Sequence, residues 1–123
     1  MSAQPQRSSQ RSWFEELFLA IDTATWTDLP RFFHADVVYE RPGYPPIEGI
    51  DALLDFYRST RIIAEGKHLL DGGLRDDDKA ICWGHFRGLS KTGEALAERF
   101  ADAYELDGGV IRKRTTYFFR AAI

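Results

Sequence analysis

The first part of the chain has apolar residues at helical spacing. Ser12 and Glu15 have the spacing of a capping box, which predicts a helix over residues 12–22. The apolar residues of one helix face are Phe14, Leu17, Phe18 and Ile21. Residues 1–11 are rich in Ser, Gln and Arg without periodicity, and we expect a flexible tail there.

Three further elements are predicted before residue 62. A short helix is expected over residues 27–33, and the run VVYE predicts a strand over residues 37–40. The Pro- and Gly-rich segment 41–46 interrupts the pattern. A third helix then begins near Gly49 or Asp51 and ends near Arg61, because apolar residues recur at positions 50, 53, 54 and 57.

After Gly66 the pattern becomes typical of strands. Four strands are predicted over residues 67–74, 80–89, 95–106 and 110–121, separated by the turn sequences DDD, KTG and DGG. Helices followed by a meander of strands indicate an α+β domain, in which a curved antiparallel sheet wraps around three N-terminal helices. Residues 12–123 are therefore expected to form a single domain.

Composition narrows the class of protein. A chain of 123 residues can bury a core without staples, and its single cysteine, Cys82, excludes an internal disulfide framework. A net charge of -3 argues against a broad nucleic-acid interface. No apolar run reaches the roughly 20 residues of a membrane span, and the polar start lacks the apolar stretch of a secretory signal. We expect a cytoplasmic protein.

One acidic residue stands out among the many aromatic side chains. Aromatic residues make up 14% of the chain, enough either to fill a core or to line a cavity. By strand alternation Asp102 shares a face with Phe100 and Tyr104. A carboxyl group flanked by aromatic rings is costly to bury unless it is paired or used.

The neighbouring strand offers two alternative faces to Asp102. One face carries Trp83, His85, Arg87 and Leu89, and the other carries Cys82, Gly84, Phe86 and Gly88. The register of the hairpin decides which face is turned inward, since a shift of one residue exchanges them.

Several segments together resemble a known superfamily. They are FFHADVVY at 32–39, PPIEG at 45–49, FYR at 56–58 and DGGVI at 107–111, before Thr116 and Tyr117. In order and spacing they resemble the cone-shaped nuclear transport factor 2 type fold, and within it the ketosteroid isomerases and SnoaL-like polyketide cyclases. The resemblance covers roughly residues 12–120. It implies an α+β cone and a homodimer formed through the outer face of the sheet.

The resemblance implies an altered set of site residues. Arg41 stands where ketosteroid isomerases have their general-base aspartate, and Leu17 where they have the oxyanion-binding tyrosine. Tyr57 matches the supporting tyrosine, and Asp102 matches an acid that both families retain. Steroid isomerisation by the usual arrangement is therefore not expected. The resemblance also favours the register in which His85 and Arg87 face inward.

These expectations define a candidate site. Asp102 is the predicted acid or base and His85 its proton partner, a pair suited to proton transfer near neutral pH. Burial among aromatic rings would keep the Asp102 carboxyl group protonated, whereas a nearby cation, Arg87 or Arg114, would favour its ionised form, and the sequence does not rank these two effects. The remaining predicted substrate-binding residues are Tyr39 and Tyr57 as hydrogen-bond donors, with Trp83, Phe100, Tyr104 and Phe118 as walls.

Other charged residues receive less specific predictions. Arg41 either binds an anionic group of a substrate at the cavity mouth or forms a salt bridge on the rim, and the rim is the preferred interpretation. His34 and His68 are expected in solvated loops or at the ends of elements. The histidines are scattered and no glycine-rich loop opens a helix, so neither a metal nor another cofactor is expected.

Three functions remain open. The first is a cofactor-free acid/base enzyme of secondary metabolism, a cyclase, isomerase or dehydratase acting on a hydrophobic, oxygenated polyketide- or terpenoid-like molecule. The second is a non-catalytic module that binds a small molecule or dimerises. The third is an epoxide-opening hydrolase, which would need a second carboxylate beside Asp102, and Glu98 is the candidate on the same strand face.

Overall fold

The computed structural model describes the backbone of residues 3–60 and 63–120, and the side chains of residues 13–59 and 63–120. Helix α1 is followed by a 3₁₀ helix, two strands, helix α2 with a π-helical continuation, and four long strands. The bounds are α1 Ala3–Asp22, the 3₁₀ helix Trp26–Arg31, β1 Phe33–Glu40, β2 Ile47–Glu48, α2 Ile50–Asp55, the π helix Phe56–Thr60, β3 Ile63–Arg75, β4 Lys79–Ser90, β5 Ala95–Asp107 and β6 Val110–Phe118.

The six strands form one mixed sheet in the order β2-β1-β6-β5-β4-β3, which does not close. The predicted α+β class is confirmed, but the sheet is not purely antiparallel, because β1 pairs parallel to β6. Hairpin turns indicate only the pairing of consecutive strands. The partner of β1 comes from the other end of the chain, and no local signal predicts it.

The structure differs from the predicted helices at their ends. Helix α1 begins at Ala3 and includes most of the predicted tail, although it ends at Asp22 as predicted. Pro5 lies in the first turn, where its missing N–H costs no helical hydrogen bond. Hydrophobic periodicity begins only at Phe14, so it could not indicate the earlier turns. The predicted ends at Arg61 and Ala121 lie outside the described residues.

The core lies between α1 and the concave face of the sheet. Phe14, Leu17, Phe18 and Ile21 are buried along one face of α1, as their spacing predicts. The helix packs mainly against β3. Each such side chain contributes roughly 1.5–3 kcal/mol when it is fully buried. Among the described residues, no helix has both the length and the apolar character needed to cross a membrane.

Candidate active site

A cavity opens between α1, the π helix and the concave face of the sheet. It holds about 60 Å³, or about 500 Å³ when the space at its open mouth is included. Among the described residues, the lining combines apolar rings with two guanidinium groups and one imidazole, and it contains no carboxylate. The lining residues are Ile21, Tyr39, Arg41, Phe56, Tyr57, Ile63, His68, Phe86, Phe100, Arg114, Thr116 and Phe118.

The imidazole of the lining belongs to His68 and is held by Asp22. The Nδ1–H of His68 donates to Asp22 Oδ1 at 2.6 Å, and the backbone N–H of His68 donates to Asp22 Oδ2 at 2.8 Å. Asp22 is the last residue of α1, and His68 lies on β3, against which this helix packs. The two bonds fix both the position of the ring and its tautomer.

The surroundings of His68 favour the neutral ring. Phe18 stacks on the imidazole with 4.4 Å between ring centroids. The ring centroids of Phe86 and Phe100 lie 4.8 Å and 5.3 Å from that of the imidazole. Burial lowers the pKa of His68 below its ordinary value, although the Asp22 carboxylate opposes this shift. Among the described residues Nε2 has no hydrogen-bond partner. A neutral imidazole therefore lines the cavity, and its Nε2 is left unpaired among the described residues.

The second polar feature is a cluster around Asp102, which is fully buried. Its carboxylate accepts four side-chain hydrogen bonds. Tyr104 donates at 2.9 Å, Arg114 donates through Nε at 3.3 Å and through Nη2 at 2.9 Å, and the Thr116 hydroxyl also donates. Because every one of these partners is a donor, Asp102 acts here as an ionised acceptor. The ion pair with Arg114 compensates the cost of burying both charges.

The proton positions of this cluster follow from its bonding. The single hydroxyl proton of Thr116 is given to Asp102, so Tyr39, whose hydroxyl lies 3.2 Å from Thr116 Oγ1, must be the donor in that pair. Arg114 Nη1 donates to the Tyr57 hydroxyl at 2.9 Å. The proton of Tyr39 is thus used within the cluster, and the Tyr57 hydroxyl is polarised by a guanidinium.

Burial keeps the other acidic groups of the cluster protonated. It raises the pKa of Tyr39 to about 12, that of the Cys82 thiol to about 12, and that of Tyr104 well above its ordinary value. Burial alone would lower the pKa of Arg114, but the Asp102 carboxylate together with Tyr39, Tyr57 and Tyr104 outweighs it, so this pKa lies well above its ordinary value. Cys82 is therefore no thiolate nucleophile.

Asp102 does not line the cavity. Arg114 and Thr116, which do line it, bond to Asp102 from the cavity side, and Asp102 itself has no exposed surface. Asp102 is predicted as a proton-transfer group from strand alternation. Alternation places its side chain on the correct face of β5, but it cannot show how deeply the carboxyl group is buried. Tyr104 is likewise buried beside Asp102 and is absent from the lining.

His85, Arg87 and Trp83 lie on the outer face of the sheet, so the register that turns them inward is wrong. Cys82 is opposite Asp102 on β5, whereas His85 is opposite Arg99 and pairs with Asp71 at 3.1 Å. Both faces of β4 carry apolar residues, because Ile81 and Trp83 are exposed on the outside. The hydrophobic pattern therefore could not distinguish the inner face from the outer one.

Five predicted residues do meet at the cavity, and the structure adds others. The predicted residues that line it are Tyr39, Tyr57, Phe100, Arg114 and Phe118. His68 was expected at the end of an element, but β3 begins at Ile63 and places it inside the strand. A signal was present in the sequence, since Gly66, His68 and Leu70 alternate with the polar residues Glu65 and Lys67.

Arg41 also lines the cavity, and the predicted rim salt bridge is absent among the described residues. Its Nε is buried without a hydrogen-bond partner. Its guanidinium carbon lies 4.2 Å from the Tyr44 ring centroid and 4.3 Å from that of Phe56. Aromatic stacking, and not an ion pair, therefore holds this side chain in place.

The second carboxylate considered for epoxide opening is engaged elsewhere. Glu98 Oε2 accepts from Arg120 Nη2 at 3.0 Å, whereas Arg114 pairs with Asp102. Arg114 therefore does not bridge two carboxylates among the described residues. Within the same part of the chain, no group of three His, Cys, Asp or Glu residues comes together in a way that could hold a metal ion.

The fold is that of nuclear transport factor 2-like proteins. The family model described as SnoaL-like domain matches residues 14–114, and the chain belongs to this family. A comparison with curated proteins gave no significant match.

Solved structures with similar folds have diverse descriptions. A nuclear transport factor 2-like protein of unknown function from Burkholderia pseudomallei has a TM-score of 0.78 at 16% identity, covering 88% of both chains. A Jannaschia protein assigned to the SnoaL-like polyketide cyclases has a TM-score of 0.77 at 10% identity, with 94% of this chain and 89% of that chain covered. An LEH-like epoxide hydrolase of M. tuberculosis has a TM-score of 0.75 at 16% identity, with 87% of this chain and 80% of that chain covered. At these identities the likeness concerns the fold.

Proposed function

We propose that this protein is a cofactor-free acid/base enzyme in which His68 is the general base and Asp22 its positioning residue. The observation that carries the proposal is the neutral His68 ring at an apolar cavity, with Nδ1 bonded to Asp22 at 2.6 Å and Nε2 without a partner among the described residues. A buried imidazole held in one tautomer is the arrangement that general-base catalysis near neutral pH requires.

The reaction we propose begins with removal of a proton from carbon beside a carbonyl group. His68 Nε2 takes the proton, and the electron pair of the broken C–H bond moves into an enolate. Tyr57 then binds the enolate oxygen, because Arg114 polarises its hydroxyl at 2.9 Å. Return of the proton from His68 to another carbon gives isomerisation, and its transfer to a departing β-hydroxyl group gives dehydration with loss of water. Attack of the enolate on a second carbonyl group, followed by transfer of the proton from His68 to the new alkoxide, closes a ring.

The substrate we propose is small, hydrophobic and oxygenated. Apolar side chains from α1, the π helix and the sheet surround the reacting groups, and a cavity of this kind excludes water from an enolate. A polyketide- or terpenoid-like molecule has this combination of apolar body and carbonyl oxygen. The SnoaL-like family assignment supports the same substrate class without identifying a molecule.

The test uses a panel of cyclic β,γ-enones and β-hydroxy ketones in D₂O, followed by ¹H NMR. We expect the wild type to accelerate deuterium incorporation or water loss for at least one member, and His68→Gln to reduce the rate by about 10²-fold or more. His85→Gln is the matched control, because His85 also pairs with an aspartate but lies on the outer face. Its rate should equal that of the wild type.

The same panel separates the enzyme from a binding module. Saturation-transfer NMR measures ligand binding to the wild type and to His68→Gln independently of turnover. Binding without any exchange in the wild type would contradict the proposal and favour a non-catalytic module. Equal losses in His68→Gln and His85→Gln would contradict the assignment of His68.

We also propose that two copies associate through the outer face of the sheet. Ile81, Trp83 and Tyr117 are exposed there, and Trp83 and Tyr117 are both directly opposite Ala101 in the register. A contiguous apolar patch of this kind on a small domain is typical of an interface. Glu105 and Lys113 beside the patch carry opposite charges, which suits the two-fold contact of a homodimer.

A further inference from the structure

The cavity has an unmatched cationic group at Arg41. The two guanidinium groups of the lining differ in their partners. That of Arg114 is paired with the Asp102 carboxylate, whereas that of Arg41 has no ion pair or hydrogen bond among the described residues. A guanidinium that is partly withdrawn from water without an acceptor is costly. This cost is recovered when a ligand supplies the acceptor.

The contacts that hold Arg41 leave its N–H groups without an oxygen acceptor among the described residues. Tyr44 and Phe56 contact the guanidinium through their rings, at 4.2 Å and 4.3 Å from Cζ to the ring centroids. An aromatic ring attracts the cation but supplies no oxygen acceptor to its N–H groups. The five donors of an arginine lie in one plane and match the two oxygens of a carboxylate.

Arg41 and His68 approach the cavity from strands near opposite ends of the sheet order. Arg41 follows β1, and His68 lies on β3, the edge strand farthest from β1 in the order β2-β1-β6-β5-β4-β3. Both line the same cavity, with the apolar rings of Phe56, Phe86 and Phe100 also on its wall. A ligand that meets both groups therefore has an acidic oxygen at one end and an apolar body directed toward the imidazole.

From this arrangement we infer that the ligand of the cavity is an organic anion, a carboxylate whose oxygens bind Arg41 and whose apolar body fills the space leading to His68. The inference rests on the proposed function only in using the same cavity. It adds that the carbonyl substrate also carries a carboxylate group, so that a neutral compound of the same shape binds more weakly.

The test compares benzoate with benzamide, which have the same shape but differ in charge. Isothermal titration calorimetry on the wild-type chain at low salt should give a Kd for benzoate that is lower than that for benzamide by about tenfold or more. Arg41→Met should abolish this preference by weakening benzoate alone, and Arg41→Lys should retain part of it, because lysine keeps the charge but not the planar pair of donors.

Arg99→Met is the matched control. Arg99 also contacts an aromatic ring, that of Phe119 at 4.4 Å, but it lies outside this cavity on the exposed face of β5. Its substitution should leave the preference for benzoate unchanged. Circular dichroism of Arg41→Met shows whether the fold is intact, and the comparison of the two ligands on the wild type does not depend on any variant.

The inference is overturned if the wild type binds benzoate no more tightly than benzamide, if it binds neither, or if folded Arg41→Met keeps the preference. These results are distinguishable from failure of the proposed function. Loss of turnover in His68→Gln tests proton transfer, whereas the benzoate preference is measured without turnover and should persist in that variant.

Discussion

Asp22 and His68, which are 46 positions apart in the sequence, form a hydrogen-bonded pair with Oδ1 and Nδ1 2.6 Å apart. The same carboxylate accepts the backbone N–H of His68 at 2.8 Å, so Asp22 fixes the strand as well as the ring. The last residue of α1 thereby determines which imidazole nitrogen carries the proton and which is left unprotonated. This pairing makes His68 different from His85, whose contact with Asp71 is on the outer face.

The tautomer of His68 is the first testable consequence. At neutral pH we expect ¹⁵N NMR of the ring to show a protonated Nδ1 and an unprotonated Nε2, because Asp22 accepts the Nδ1 proton. Asp22→Ala removes that acceptor and should allow a mixture of tautomers. The exposed Asp55→Ala is the control and should leave the spectrum unchanged. A protonated Nε2 in the wild type would exclude His68 as the base.

The contrast between His68 and His85 shows how far the sequence could predict the site. Turn residues and alternation predicted the four long strands and placed Asp102 on the inner face of β5. They could not rank His85 and His68, because apolar residues occur on both faces of β4 and the inner positions Gly84 and Gly88 carry no side chain. A side chain at Gly84 would lie 2.1 Å from the carbonyl oxygen of Leu69. This close approach of strands is a tertiary feature.

The local sequence pattern could not predict the Asp22–His68 pair, for a related reason. Asp22 ends a helix and His68 lies near the middle of a strand, so their contact depends on how α1 packs against β3. The same applies to Arg41, whose partners became visible only once Tyr44 and Phe56 were placed around it. The predicted family and fold class were correct because they depend on the order of elements, which local sequence does record.

Stability should fall in mild acid because of His68. Its pKa is lowered from 6.5 in the fold, chiefly by burial, with Arg114 acting in the same direction and Asp22 and Asp102 opposing. Below pH 6.5 the unfolded state therefore binds more protons at this ring than the native state, and the free energy of unfolding decreases as the pH falls. Thermal melts from about pH 8 to pH 5 should show a shallower decline for His68→Gln than for the wild type. An unchanged slope in His68→Gln, or the same flattening in His85→Gln, would contradict this account.

Breaking the Asp102–Arg114 pair should be far more costly than breaking a surface pair. Asp102→Asn leaves a buried guanidinium without its counter-charge, and we expect the free energy of unfolding to fall by about 3–5 kcal/mol. Asp107→Asn, which removes the exposed partner of Arg112, should cost about 1 kcal/mol or less. Urea denaturation measures both values. Similar losses in the two variants would show that the buried pair is not a structural element of the cavity wall.

The outer face of the sheet gives the last prediction, which concerns association. Trp83 and Tyr117 flank Ala101 on adjacent strands and remain 42% and 57% exposed in the single chain. If this patch is covered by a second copy, light scattering after size exclusion should give about twice 14.1 kDa for the wild type and 14.1 kDa for Trp83→Glu, because a charge would be buried without a partner. Leu19→Glu is the matched control, since Leu19 is 62% exposed on α1, away from the sheet face, and this variant should remain a dimer. A monomeric wild type at micromolar concentration, or dissociation of both variants alike, would contradict association through the sheet.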